Sequence, residues 1–95
     1  MKALKLTGAK QVEILEIPLE HPGPGKVLLE MKACSICNQH DIRHFNAGID
    51  PEGPGFPGHE GAGVVTEIGE GVTELEVGDH VVTTGLGGPP LYREY

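Results

Sequence analysis

The 95-residue sequence has few aromatic residues and few cysteines, and both shortages limit what it can be. It contains no Trp, two Phe and two Tyr, so a core would consist of Val, Ile and Leu rather than stacked rings. Cys34 and Cys37 are its only cysteines, too few for the disulfide framework of a small secreted protein. A chain of this length supports one core, so we expect one domain or part of a larger one.

Basic residues and long apolar runs are also scarce. Seven Lys and Arg face 14 Asp and Glu, which gives a formal net charge of −7. Such a surface repels phosphate backbones and anionic headgroups, so we predict no nucleic-acid or membrane partner. The apolar runs fall far short of the ~20 residues that a spanning helix needs, and the N-terminus lacks an apolar signal segment. We therefore expect a cytoplasmic protein.

Glycine and proline are abundant instead, and they separate short alternating segments. From Asn38 to Phe45 the alternation stops, which predicts one or two helical turns. The stretch from Asn46 to Gly58 is rich in both residues and predicts an ordered surface loop. Alternation or β-branched residues predict a hairpin in residues 1–17 and single strands in residues 26–33, 61–68 and 80–84. Short strands with glycine at their bends predict a mainly β fold, a barrel or a sandwich.

Several residues of the types that bind metal ions lie close together just after the third predicted strand. Cys34, Cys37, His40 and His44 follow one another closely, and thiolates and imidazoles suit zinc. A zinc ribbon requires a second such pair downstream, and the sequence has no third cysteine. A thioredoxin-like redox pair requires a βαβ unit, which the strand-rich pattern does not offer. We interpret Cys34 as a small buried apolar residue, whereas a metal role for Cys37 depends on the next motif.

A second motif is more specific. It reads Gly58-His59-Glu60-Gly61-Ala62-Gly63 and continues to Gly69 and Val72. This resembles the signature of the zinc-containing, medium-chain alcohol dehydrogenases. Residues 64–72 and 77–82 also resemble the strand, the turn and the Val-Gly-Asp-x-Val-Val strand of that family. The resemblance covers nearly the whole chain and implies a GroES-like, partly open β-barrel with one short helix after Cys37.

The resemblance also implies a metal site. Cys37 and His59 would hold zinc, and Glu60 would lie beside the metal, where it tunes the local charge or replaces a ligand. Asp41 would hydrogen-bond the far nitrogen of His59 and set its tautomer. The glycines around His59 allow neighbouring strands to approach closely.

The segment between Cys37 and Asp41 has one residue more than the family pattern. If the alignment is anchored on Asp41, His40 takes the place of the Ser or Thr that relays the substrate proton, and imidazole can do this near neutral pH. If it is anchored on Cys37, Gln39 takes that place, and an amide exchanges protons poorly. We prefer the first alignment because it retains Asp41.

The other histidines carry weaker signals. His21 lies in a turn rich in Pro and Gly, and His80 lies on a predicted strand, so solvated or packed rings are the simpler interpretation of both. His44 either lines a substrate cleft or faces solvent.

Two features of the full-length family are absent from the sequence. There is no Gly-x-Gly-x-x-Gly turn between a strand and a helix for a dinucleotide. There is also no four-cysteine lobe, and residues 85–91 would take a short path in its place. Residues 92–95 resemble the family's Ala-Glu-Tyr motif, which implies that residues 1–95 are a truncated N-terminal part of the catalytic domain.

The resemblance thus implies a parent protein that is a homo-oligomer and interconverts a small alcohol or polyol and its carbonyl with zinc and NAD(P). NAD(P) would not bind to this chain alone, and the isolated chain would be inactive. The alternative hypothesis is a small, stand-alone β-barrel that binds or interacts without catalysis.

Overall fold

The computed structural model describes residues 1–48, 57–84 and 90–95. Most of the regular structure is extended, and the only helix among these residues follows Cys37, so the prediction of a mainly β fold with one short helix is confirmed. The elements are β1 (Lys2–Gly8), β2 (Gln11–Glu16), β3 (Val27–Cys34), α1 (Asp41–Ala47), β4 (Glu60–Ile68) and β5 (His80–Thr84).

Strands β1 and β2 form the predicted hairpin. Lys2 pairs with Glu16 at the open end, and the register shifts between Leu6 and Gly8. The turn contains Lys10 at a positive φ of 57°. Ala3 and Leu6 of β1 are buried, whereas Ile14 of β2 is 61% exposed. The hairpin therefore presents one strand to the core and leaves the other largely in solvent.

Strands β3, β4 and β5 form an antiparallel sheet in that order. Val65 on the central strand is 1% exposed and is the largest fully buried side chain of the described core. At one edge of the β3–β4 pair, Cys34 lies opposite Gly61, and the N–H of Ser35 donates to the carbonyl oxygen of Glu60 at 2.9 Å. This register brings the chain after β3 next to the chain that enters β4.

Residues 90–95 connect the hairpin to the larger sheet. Arg93 forms an isolated bridge with Ala3, and the N–H of Leu4 donates to the carbonyl oxygen of Tyr92 at 2.8 Å. The N–H of Met31 donates to the carbonyl oxygen of Glu94 at 2.8 Å. Among the described residues the strands stay in two sheets, of two and three strands, and neither closes on itself. The described strands therefore do not form a closed barrel.

Helix α1 has the predicted length of about two turns, but it begins at Asp41 and continues two residues past Phe45, to Ala47. It ends at Gly48, whose left-handed φ of 73° allows its N–H to reach the carbonyl oxygen of His44. The N–H of Lys10 in the hairpin turn donates to the carbonyl oxygen of Phe45 at 2.6 Å. The C-terminal end of the helix is therefore fixed against the hairpin turn.

The remaining predictions concern the turns, two loop segments and membrane-spanning helices. The turns predicted at residues 69–71 and 77–79 are present, with Gly71 at φ 82° and Gly78 at φ 97°. The predicted surface loop falls largely on residues 49–56 and the short path on residues 85–89, and these lie outside the described residues. No helix in the described part of the chain is long and apolar enough to span a membrane.

Candidate metal centre

The residues predicted to bind zinc come together where β3 leaves the sheet and β4 enters it. Cys37 lies between β3 and α1, His59 directly precedes β4, and Glu60 is the first residue of β4. A thiol sulfur, an imidazole nitrogen and a carboxylate oxygen from these three residues all lie within 4.8 Å of one another. The pairing of Cys34 with Gly61 produces this convergence, because it brings the two donor segments together.

This donor set fits zinc. Zinc in proteins takes thiolate, imidazole and carboxylate ligands at about 2.0–2.3 Å, so donors within this separation can bind one ion after small side-chain rotations. The His59 side chain is 13% exposed and that of Glu60 is 48% exposed. The site is thus half-buried and open to solvent on the Glu60 side.

The carboxylate of Asp41 contacts the segments that carry Cys37 and His59, and it has contacts on both oxygens. Oδ2 accepts hydrogen bonds from the Cys37 N–H at 2.8 Å and from the Tyr92 hydroxyl at 2.6 Å. Oδ1 lies 3.1 Å from Nδ1 of His40 and 3.4 Å from Nδ1 of His59. Asp41 is only 4% exposed, so its charge is balanced by these groups rather than by water.

The hydrogen bonds determine the ionisation of Asp41. Burial by itself would raise its pKa, but hydrogen bonds from Tyr92, the Cys37 backbone and His40, together with the charge of His59, hold the pKa below its ordinary value of 3.8. Asp41 is therefore a carboxylate at neutral pH, as an acceptor facing an imidazole N–H requires.

The imidazole of His59 lies between two carboxylates. Nδ1 faces Asp41 at 3.4 Å and makes no hydrogen bond with good geometry to the described residues, so this contact is electrostatic. Nε2 lies 3.5 Å from Oε1 of Glu60. A proton on Nδ1 is favoured by the Asp41 charge, and it leaves the lone pair of Nε2 available to a metal.

His40 lies against the same histidine. It is the residue before α1, and its ring meets the rings of His44 and His59 edge to face, with centroids 4.3 Å apart in both pairs. His40, Asp41 and His59 form a second group of donors within 4.8 Å. Gln39, the alternative relay residue, is exposed. The structure thus places His40, not Gln39, in contact with His59 and Asp41.

Tyr92 and Ser35 also contact the site, and the sequence reasoning missed both. The Tyr92 hydroxyl reaches Asp41 from 51 positions away in the chain, and burial, followed by the Asp41 carboxylate, raises the pKa of Tyr92. The Ser35 hydroxyl donates to Oε2 of Glu60 at 2.7 Å. No local pattern marks either residue, because both contacts depend on how distant segments pack.

The remaining cysteine and histidines are not part of either donor group. Burial and the Asp41 charge raise the pKa of Cys34 to about 11, so it is a thiol at neutral pH, although it is half-buried rather than fully buried. The ring of His44 packs on that of His40. His21 is a surface residue bound to Glu67 at 2.8 Å, and His80 is exposed.

The chain is similar in sequence and fold to known proteins. The family model of the alcohol dehydrogenase GroES-like domain matches residues 23–90. Alcohol dehydrogenase class-3 of Cereibacter sphaeroides is 48% identical over 92 residues, which are 95% of this chain and 22% of that protein. S-(hydroxymethyl)glutathione dehydrogenase of Paracoccus denitrificans is 46% identical over 92 residues, with the same coverage.

Among solved structures, 2-haloacrylate reductase is similar in fold, with a TM-score of 0.73 and 31% sequence identity. The similar region covers 99% of this chain and 28% of the reductase chain. The chain thus spans 22% of the length of the two curated relatives. The family match covers most of the chain, including His59 and Glu60 at the start of β4. The chain belongs to the medium-chain alcohol dehydrogenase family and carries its GroES-like domain.

Proposed function

We propose that this chain contributes the zinc ligands of a dehydrogenase that interconverts a small alcohol or polyol and its carbonyl with NAD(P). The observation that carries the proposal is the convergence of Cys37, His59 and Glu60 within 4.8 Å at one edge of the sheet. The names of the relatives, class-3 alcohol dehydrogenase and S-(hydroxymethyl)glutathione dehydrogenase, support an alcohol as the substrate class.

In this proposal Cys37 and His59 hold the metal, and Glu60 adjusts its charge or enters as a ligand. Zinc supplies Lewis acidity, which polarises the oxygen of an alcohol or carbonyl. Asp41 keeps the His59 ring oriented, so that Nδ1 of the ring faces the Asp41 carboxylate and Nε2 faces Glu60. The half-buried site limits water while leaving an open side from which a small substrate can enter.

His40 is the proposed proton relay. Its Nδ1 lies 3.1 Å from Asp41, its ring packs against His59, and its side chain is 18% exposed. Imidazole exchanges protons near neutral pH. A ring that contacts both the donor site and solvent is suited to carry a proton between them.

The hydride acceptor belongs to the complete protein in this proposal. The sequence contains no dinucleotide-binding glycine turn, so the NAD(P) site would be formed by residues outside this chain. We therefore expect the 95 residues alone to bind metal without turning over alcohols. We further propose that the complete protein is a cytoplasmic homo-oligomer.

Zinc titration of matched variants tests the proposal. We expect the chain to bind one zinc ion, and we expect Cys37→Ser and His59→Ala each to weaken binding by at least about tenfold. Cys34→Ser and His80→Ala remove the same chemical groups at positions that are not part of the donor groups, and both variants should bind like the unsubstituted chain. Equal binding by Cys37→Ser and Cys34→Ser, measured by competition with a chromophoric chelator, would contradict the assignment.

A further inference from the structure

We infer that Tyr92 is a positioning residue of the metal centre, which holds Asp41 and, through Asp41, the two ligand-bearing segments. The inference rests on the proposed function, because it concerns how the zinc ligands are kept in place. Its starting point is the hydroxyl contact with Oδ2 of Asp41 at 2.6 Å, the shortest of the four contacts to that carboxylate.

The hydroxyl of Tyr92 has one proton and two acceptors. It lies 2.6 Å from Asp41 and 3.0 Å from the carbonyl oxygen of Ser35. A carboxylate is the stronger acceptor, and bonds to ionised groups are about twice as strong as neutral ones, so the proton is directed mainly at Asp41. The Ser35 carbonyl oxygen is the weaker of the two acceptors of this proton.

Asp41 transmits this constraint to both ligand segments. The oxygen that accepts from Tyr92 also accepts from the Cys37 N–H at 2.8 Å, and the other oxygen faces Nδ1 of His59 at 3.4 Å. A carboxylate held at one oxygen cannot rotate without breaking the contact at the other. The tyrosine hydroxyl therefore fixes the position of the Cys37 backbone and the orientation of the His59 ring together.

The backbone of Tyr92 holds the same region from the other side. Its N–H donates to the carbonyl oxygen of Pro57 at 3.3 Å, two residues before His59, and its carbonyl oxygen accepts from Leu4 at 2.8 Å. Gly58 makes room for the ring, since a Cβ there would lie 2.9 Å from Cδ1 of Tyr92. One residue thus links β1, the segment before β4 and the first turn of α1.

Loss of the hydroxyl should weaken metal binding more than it weakens the fold. Removing a group that orients a metal ligand typically costs 10–100-fold in metal affinity. We expect Tyr92→Phe to reduce zinc affinity about tenfold, because the ring still fills its place beside Gly58 while Asp41 gains freedom to rotate. Tyr95→Phe removes the chain's only other tyrosine hydroxyl and should leave the affinity unchanged.

The test uses the full 95-residue chain with two readouts. Zinc affinity is measured by chelator competition, and Co²⁺ is substituted for zinc to record the ligand-field absorption, which reports ligand geometry. Urea unfolding of the metal-free variants measures the contribution of the hydroxyl to the fold alone. We expect the Co²⁺ spectrum of Tyr92→Phe, but not that of Tyr95→Phe, to change.

A double-mutant cycle separates positioning through Asp41 from a general structural effect. Asp41→Asn should itself weaken zinc binding, and Tyr92→Phe should add little in the Asp41→Asn background. Equal affinities and spectra for Tyr92→Phe and the unsubstituted chain overturn the inference while the proposed function stands. If Tyr92→Phe does not fold, unchanged zinc binding by Asp41→Asn still overturns it. Failure of the unsubstituted chain to bind zinc overturns the proposed function, and the inference with it.

Discussion

Nδ1 of His59 lies 3.4 Å from Oδ1 of Asp41, and the Asp41 residue is only 4% exposed. The pair orients the imidazole so that its other nitrogen points toward Glu60, 3.5 Å from Oε1. An isolated buried carboxylate would be costly, and Asp41 is stabilised by the hydroxyl, amide and imidazole groups around it.

Zinc should stabilise the folded chain. A ligand that binds only the folded state adds RT ln(1 + [L]/Kd), about 2.7 kcal/mol at a free concentration of 100 Kd. Urea unfolding with and without zinc measures this gain. It should fall by at least about 1.3 kcal/mol in His59→Ala, as a tenfold loss of affinity requires, and persist in His21→Ala, because His21 lies on the surface against Glu67. A gain of the same size in both variants would mean that zinc stabilises the chain elsewhere.

Cobalt substitution should distinguish the two donor groups of the site. One group contains Cys37, His59 and Glu60, and the other contains His40, Asp41 and His59. Only the first includes sulfur, so we expect a thiolate-to-Co²⁺ charge-transfer band that is lost in Cys37→Ser and retained in His40→Ala. Retention of the band in Cys37→Ser would refute Cys37 as a ligand. Loss of metal binding in His40→Ala alone would favour the second group.

Gly58→Ala should destabilise the fold substantially. Gly58 has a φ of 102°, and an added Cβ would lie 2.8 Å from the backbone nitrogen of Tyr92. Backbone strain and overpacking together should lower the free energy of unfolding by about 2–4 kcal/mol. Gly71 has a similar φ of 82°, but a Cβ there meets no described atom within 4 Å. Gly71→Ala should therefore cost only about 1 kcal/mol, and equal losses in urea unfolding would contradict the close packing of Tyr92 on Gly58.

Val65→Ala should show where the core lies. Val65 is 1% exposed on the central strand of the larger sheet, and Val82 on the neighbouring strand is 77% exposed. Deleting the two buried methyl groups should cost about 2 kcal/mol of unfolding free energy, whereas Val82→Ala should change it by less than about 0.5 kcal/mol. Thermal or urea unfolding of the two variants measures the difference, and a larger loss at Val82 would contradict the burial of this sheet.

Much of the fold could be predicted from local patterns. Alternating runs and β-branched runs predicted five strands, and glycine and proline predicted the turns between them. The end of α1 was predicted less well. The predicted segment ended at Phe45, where the apolar pattern stops. The helix instead continues to Ala47 and ends at Gly48, which adopts a left-handed conformation.

For the site, the sequence by itself predicted which side chains come together: the motif around His59 and Glu60, the cysteine at position 37 and the acid at position 41. These are properties of residue type and short spacing. Only the tertiary structure decided that His40 rather than Gln39 contacts His59, and that Tyr92 donates to Asp41. The physical reason is that both outcomes depend on the register of β3 with β4 and on residues 90–95 crossing to β1, which are long-range pairings that no local pattern encodes.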